Sequence, residues 1–142
     1  MNNPKLRGLS LFANVGIAEA YLESIDVHIE VANELLPERA RFYQDVYPNS
    51  HMVCGDITDD SVRTALIEEA MSKNVNFVMA TPPCQGMSRV GKMVEFDVRN
   101  QLIYYAVDVV KRLKPEYVLI ENVTTILKTK ISVDGAVSYT HL

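Results

Sequence analysis

Five short apolar runs alternate with segments of helical spacing along this chain, and few folds accept that pattern. The first run is Leu9–Phe12. In the second, Asp26–Ala32, residues Val27, Ile29 and Val31 share one face, as in a strand. His51–Asp56 reads as a short strand entering a turn, and Tyr117–Asn122 as the fifth strand. Val75–Ala80 is nearly continuous in apolar residues, as when both faces of a sheet are covered. Between these runs, Ala18–Ser24 has room for two helical turns. Leu36, Ala40, Tyr43 and Tyr47 stand at helical spacing, with Pro37 tolerable in the first turn and Pro48 as a stop. Thr58–Lys73 predicts a helix capped by Thr58 or Asp59 with Val62, Leu66 and Ala70 inward. Val98–Lys114 predicts a longer one, with Leu102, Ala106, Val109 and Leu113 on one face. Its last turn holds Lys111, Arg112 and Lys114, which suit the negative end of a helix, and Pro115 follows. Such alternation predicts an α/β fold: a parallel sheet with helices on both faces. Right-handed crossovers and one reversal give the strand order 3-2-1-4-5.

Composition narrows the class. At 142 residues, 48% of them hydrophobic and 23% charged, the chain suits one ordinary domain with its own core. It has no run of about 18 apolar residues, so no membrane span is expected. The opening residues lack the apolar stretch of a signal peptide. Two cysteines, Cys54 and Cys84, indicate free thiols in a reducing compartment rather than a disulfide framework. A net charge of −4 leaves no overall basic footprint, so any affinity for nucleic acid must come from the site.

In a sheet of this kind, ligands bind at the carboxyl ends of the strands. Polar and turn-forming residues collect there in sequence: Phe12 to Gly16, then Asn33 and Glu34, then Gly55 and Asp56, then Pro82 to Gln85, then Glu121 and Asn122. Glu34 follows the first strand by the interval at which an acid takes ribose hydroxyls, and Asp56 suits an adenine amino group. Taken singly, residues such as Glu34 and Asp56 are more often turn or capping residues than ligands. The loop has Gly16 but not the full G-x-G-x-x-G pattern, and Cys54 reads as a small core residue. Cys84 differs, because Pro82 and Pro83 remove two amide donors and present the thiol on a stiff turn. One loop and one helix then lead to Glu121. If strands four and five are neighbours, Cys84 and Glu121 share a cleft. A thiol beside a carboxyl is an arrangement for covalent catalysis, and a buried cysteine with a capping glutamate accounts for the same positions.

At these residues the chain resembles the DNA (cytosine-5) methyltransferases. "PPCQGMS" is similar to the family's Pro-Cys-Gln catalytic motif and Glu121–Val123 to its Glu-Asn-Val motif. "LFANVG" resembles the cofactor loop, Asn33–Glu34 the ribose motif and "GDIT" the adenine motif. The resemblance implies a Rossmann-like S-adenosylmethionine-dependent methyltransferase fold, truncated after the fifth strand. It also implies methyl transfer from S-adenosylmethionine to C5 of cytosine in DNA through a covalent adduct on C6. Cys84 is then the nucleophile, and Glu121 the residue holding N3 and the exocyclic amine. Phe12, Gly16, Glu34, Asp56 and Ile57 hold the cofactor, with Pro82 and Leu102 in lesser roles. Gln85, Ser88, Arg89 and Asn122 meet the flipped-out base. The loop with Ser88, Arg89 and Lys92 covers that base or is simply solvated. No metal is implied. The setting is the cytoplasm of a prokaryote or phage host, with DNA as partner and restriction-modification as the context.

Departures exist. Family members usually carry Asp where Ser10 stands and Gly where Asn14 stands; asparagine tolerates positive φ. The family's later arginine motif, DNA-recognition region and closing motif do not follow Val123. Residues 1–123 therefore read as the amino-terminal part of a catalytic domain, inactive alone. Residues 124–142 read as a truncated or non-native tail, with a hairpin around Asp134-Gly135. A transfer-RNA cytosine-5 methyltransferase shares the Pro-Pro-Cys-Gln pattern and stays open, as does a non-catalytic Rossmann-like binding module. A nicotinamide oxidoreductase leaves Cys84 and Glu121 unexplained.

Overall fold

The computed structural model describes residues 5–83, 101–122, 130–133 and 136–139. Its centre is a five-stranded parallel sheet in the order β3-β2-β1-β4-β5, as the alternation predicts. In chain order the elements are β1 (Leu6–Leu11), β2 (Val27–Glu34), α1 (Pro37–Val46), β3 (His51–Cys54), α2 (Asp60–Ser72), β4 (Phe77–Ala80), α3 (Leu102–Leu113) and β5 (Tyr117–Ile120). An antiparallel pair, β6 (Lys130–Val133) and β7 (Ala136–Tyr139), flanks Asp134-Gly135; the turn itself lies outside the described residues.

Alternation along the strands sorts the helices. Leu9, Leu11, Val31, Val78 and Ala80 are wholly buried on one face, against Leu66 and Ala70 of α2 and Ala106 and Val109 of α3. Ala32 points the other way and packs with Tyr43 of α1 and Ala13. Asp59 caps α2 by accepting the Ser61 amide at 2.8 Å, one of the two caps the sequence offers. β4 is buried along its whole length, which accounts for its apolar run.

Two expectations are corrected. Ala18–Ser24 is not a two-turn α-helix; turns lead into a short 3-10 helix at Leu22–Ile25. The amides of Ala20, Leu22 and Ser24 return three residues, to Ile17, Glu19 and Tyr21, so the segment winds more tightly. Cys54 is exposed rather than in the core. It ends β3, the edge strand of the sheet among the described residues, and its Sγ lies 3.8 Å from the Leu35 carbonyl oxygen.

The carboxyl rim of the sheet is stitched by amides one or two residues past β1, β3, β4 and β5. The amide of Ala13 donates to the Asn33 carbonyl, Gly55 to Glu34, Thr81 to Leu11 and Glu121 to Ala80. Each of the four strand-to-strand joins thus continues past the strand ends, three of them into residues singled out above and the fourth into Thr81. Among the described residues no helix is long and apolar enough to cross a membrane, and no cluster of three or more His, Cys, Asp or Glu is placed to hold a metal.

Candidate active site

β1 leaves the sheet through a turn of left-handed residues: Phe12 (φ 61°), Asn14 (φ 54°) and Gly16 (φ 81°). A bulky residue in that region is a local strain of the kind found at binding sites, and asparagine takes it readily. The Gly16 amide closes the turn on the Ala13 carbonyl at 2.9 Å. Glu34 holds the turn from β2. Its Oε2 accepts the Asn14 amide and its Oε1 the Leu36 amide, both at 2.9 Å, and the residue is 6% exposed. A carboxylate has about four acceptor sites, so each oxygen retains capacity for a hydroxyl donor. The structural and the ligand-binding readings of Glu34 are therefore compatible. Asp56 also has a local role, since its Oδ1 accepts the Thr58 amide at 2.9 Å.

These residues enclose a cavity of about 530 Å³, within the range of small-molecule sites. Phe12, Glu34, Asp56, Ile57 and Leu102, which the resemblance assigns to the cofactor, all line it. Gly16 and Pro82 do not; Gly16 lies beneath the turn, packed on Tyr47, and Pro82 is buried while its neighbour Pro83 takes the wall. Sequence reasoning missed Leu36, Arg39 and Thr81, which also line the cavity. Arg39 is exposed in the first turn of α1. Arg63 was missed too: its Nη1 donates to the Ile57 and Thr58 carbonyls, both at 2.8 Å, and its Nε to Asp108 at 2.9 Å. It thereby ties the Asp56–Thr58 loop to α3. A second cavity, of about 470 Å³, opens at the amino end of β2 among Glu19, Glu23, Glu30 and Tyr47, away from the strand ends.

β4 and β5 are neighbours, with Ala80 opposite Ile120, so the condition for a shared cleft holds. Glu121 is exposed at that edge, its amide 3.0 Å from the Ala80 carbonyl. Thr81 leads from β4 with its hydroxyl on the Phe12 carbonyl at 3.3 Å, and Asn122 is half-buried. Cys84, Gln85, Ser88, Arg89 and Lys92 lie outside the described residues.

Ser10 has a buried carboxyl beside it. The Ser10 hydroxyl donates to Glu19 Oε1 at 2.5 Å, and both residues are buried. Glu19 Oε2 is enclosed with no partner among the described residues. Burial holds this carboxyl above the ordinary value of 4.5, opposed in part by the Ser10 hydrogen bond. A raised native value means a stabilising contribution complete below the ordinary carboxylate range and lost as pH rises through the native value. Glu19→Gln, which stays neutral, is expected to match the wild type in denaturant melts at about pH 4 and to exceed its stability at about pH 8. Parallel stability of the two proteins at both pH values would exclude this role for burial.

With the geometry in place, the relatives can be compared. The family model for C-5 cytosine-specific DNA methylase matches residues 6–137. A type II methyltransferase of Avibacterium volantium is 44% identical over 135 residues, 92% of this chain and 38% of that protein. A type II methyltransferase of Xanthomonas oryzae pv. oryzae is 33% identical over 119 residues, 82% of this chain and 28% of its own length. A tRNA (cytosine(38)-C(5))-methyltransferase of Rattus norvegicus is 29% identical over 123 residues, 83% of this chain and 30% of its own. Among solved structures, one described as a prophage-encoded DNA modification methyltransferase (E. coli) aligns with a TM-score of 0.67 at 26% identity, over 87% of this chain and 33% of that one. The chain thus spans less than half the length of these relatives. A match that omits only five residues at either end, joined to agreement in sheet order, makes this chain a member of the C-5 cytosine-specific DNA methylase family.

Proposed function

We propose that the protein transfers a methyl group from S-adenosylmethionine to C5 of cytosine in DNA, and that this chain is the amino-terminal part of the catalytic domain. One observation carries the reading: the cavity floored by Glu34 runs to Pro83, directly before Cys84, on the strand whose neighbour presents Glu121. The cavity residues suit the cofactor. Phe12, Ile57 and Leu102 offer apolar walls to a purine, Glu34 faces where ribose hydroxyls belong, and Asp56 lies where an exocyclic amine can donate. When bound, S-adenosylmethionine supplies an electrophilic methyl group.

The chain's own residues then do the following. The Cys84 thiolate adds to C6 of a base flipped from the duplex, and the electron pair released makes C5 nucleophilic. Glu121 holds N3 and the exocyclic amine and favours protonation of N3 as the adduct forms. Once C5 is methylated, loss of its proton returns an electron pair to the ring and expels the thiolate. The prolines before Cys84 fix its backbone, which reduces the ordering needed before attack. The bacterial type II relatives support a setting in the cytoplasm of a bacterial or phage-infected cell.

The match to the DNA methylase family model, with two type II methyltransferases at 44% and 33% identity against 29% for the tRNA enzyme, favours DNA. Incubated with methyl-tritiated S-adenosylmethionine, the full-length protein is expected to label C5 of cytosine in duplex DNA and not in tRNA. Label found only in tRNA would transfer the reading to that substrate, and label in neither would reject it.

A further inference from the structure

A tyrosine outside the family motifs quoted above lies under the cofactor turn. Tyr47 follows α1 at its carboxyl end, and its amide donates to the Tyr43 carbonyl at 2.8 Å. Its hydroxyl donates to the Gly16 carbonyl at 2.6 Å, across 31 residues of sequence. Its ring takes the space beside Gly16, where an added Cβ would stand 2.2 Å from Tyr47 Cε2. The ring is itself seated on Tyr43, centroids 4.7 Å apart, and Tyr43 is wholly buried against the sheet. Gly16 is thus required twice, by its φ of 81° and by the ring beneath it. The turn that Gly16 closes carries Phe12 and Asn14 into the cavity, although Gly16 does not line it.

We infer that Tyr47 is a positioning residue for the cofactor: it holds the Phe12–Gly16 turn in its left-handed form from below, touching no ligand. This rests on the reading of the cavity as the S-adenosylmethionine site. The hydroxyl fixes the carbonyl at the end of the turn, and the ring bars any side chain at position 16. Glu34 holds the same turn from the side, through the Asn14 amide. The turn is therefore braced on two sides before any ligand arrives, and loss of the lower brace leaves an ordering cost to binding.

Tyr47→Phe removes the hydroxyl and keeps the ring, so the packing against Gly16 survives. Calorimetry on the full-length protein is expected to show S-adenosylmethionine binding weakened about two- to tenfold, the size of one neutral hydrogen bond. KM for the cofactor should rise by a similar factor with kcat little changed, since the brace acts alike on ground and transition states. Gly16→Ala should weaken binding further. In a Tyr47→Ala background its added effect should be smaller than in the wild type, because the ring it strikes is gone. A melting temperature lowered with affinity unchanged would make Tyr47 merely structural and overturn the inference. Additive effects of Gly16→Ala and Tyr47→Ala would do the same, even if Tyr47→Phe folds poorly. If Glu34→Ala weakens binding and Tyr47→Phe does not, the cavity reading stands and the Tyr47 inference falls. If the wild type binds no S-adenosylmethionine, both fall together.

Discussion

Cys84→Ser is expected to abolish the covalent adduct that the full-length protein forms with duplex DNA carrying 5-fluorocytosine at its target. The trap works because fluorine at C5 cannot leave as a proton does. After the thiolate has bonded to C6 and C5 has been methylated, no electron pair returns to the ring and the carbon–sulfur bond persists. A serine hydroxyl is far less acidic than a thiol, whose ordinary pKa is about 8.5, so little of it is ever ionised to attack C6. Methyl transfer to ordinary cytosine should fall by at least about a thousandfold, as when other enzymes lose their nucleophile. Cys54→Ser serves as the internal control. Cys54 is exposed at the end of β3, whereas Cys84 follows β4, and two strands, β2 and β1, lie between β3 and β4. A slow-migrating band on a denaturing gel that survives Cys84→Ser, or disappears with Cys54→Ser alone, would assign the chemistry to the wrong thiol.

Glu34→Ala is the second large change. It removes the acceptor proposed for the ribose hydroxyls, and it strips the Asn14 and Leu36 amides of their partner. Each hydrogen bond to a charged acceptor contributes about 1.5–3 kcal/mol, so affinity for S-adenosylmethionine should drop roughly tenfold to a hundredfold or more. Glu34→Gln separates the two roles. It keeps an oxygen for one amide but loses the charge, and an intermediate affinity is expected by calorimetry. Unchanged affinity in Glu34→Ala would remove this acid from the cofactor site.

The fold was legible because each strand and most helices carry their own period. The three- and four-residue spacing of Leu36, Ala40, Tyr43 and Tyr47 does place Tyr43 in the core, and β4's apolar run does mark a doubly covered strand. Local pattern failed where a tertiary contact competed with it. Ala18–Ser24 has helical composition, but Glu19 is drawn inward to Ser10 and the segment tightens around it. Cys54 was misplaced for a related reason: burial at a strand end depends on whether the strand is central or at the edge, which only the sheet order settles. At the site, motif residues such as Glu34 and Leu102 were legible. Arg39, Arg63 and Tyr47 were not, because a long polar side chain acquires its meaning from carbonyls and rings distant in sequence.

The amide stitches along the carboxyl rim carry a lesson about inheritance. Positions 13, 55, 81 and 121 are held by main-chain bonds that any residue except proline can make. The frame asks only for an amide there, while packing restricts Ala13, buried beside Tyr43, and Gly55, where a Cβ would stand 2.9 Å from Val62. A lineage can thus revise its chemistry at the rim one residue at a time while the sheet beneath stays as it was, which is how a shared scaffold outlives its successive substrates.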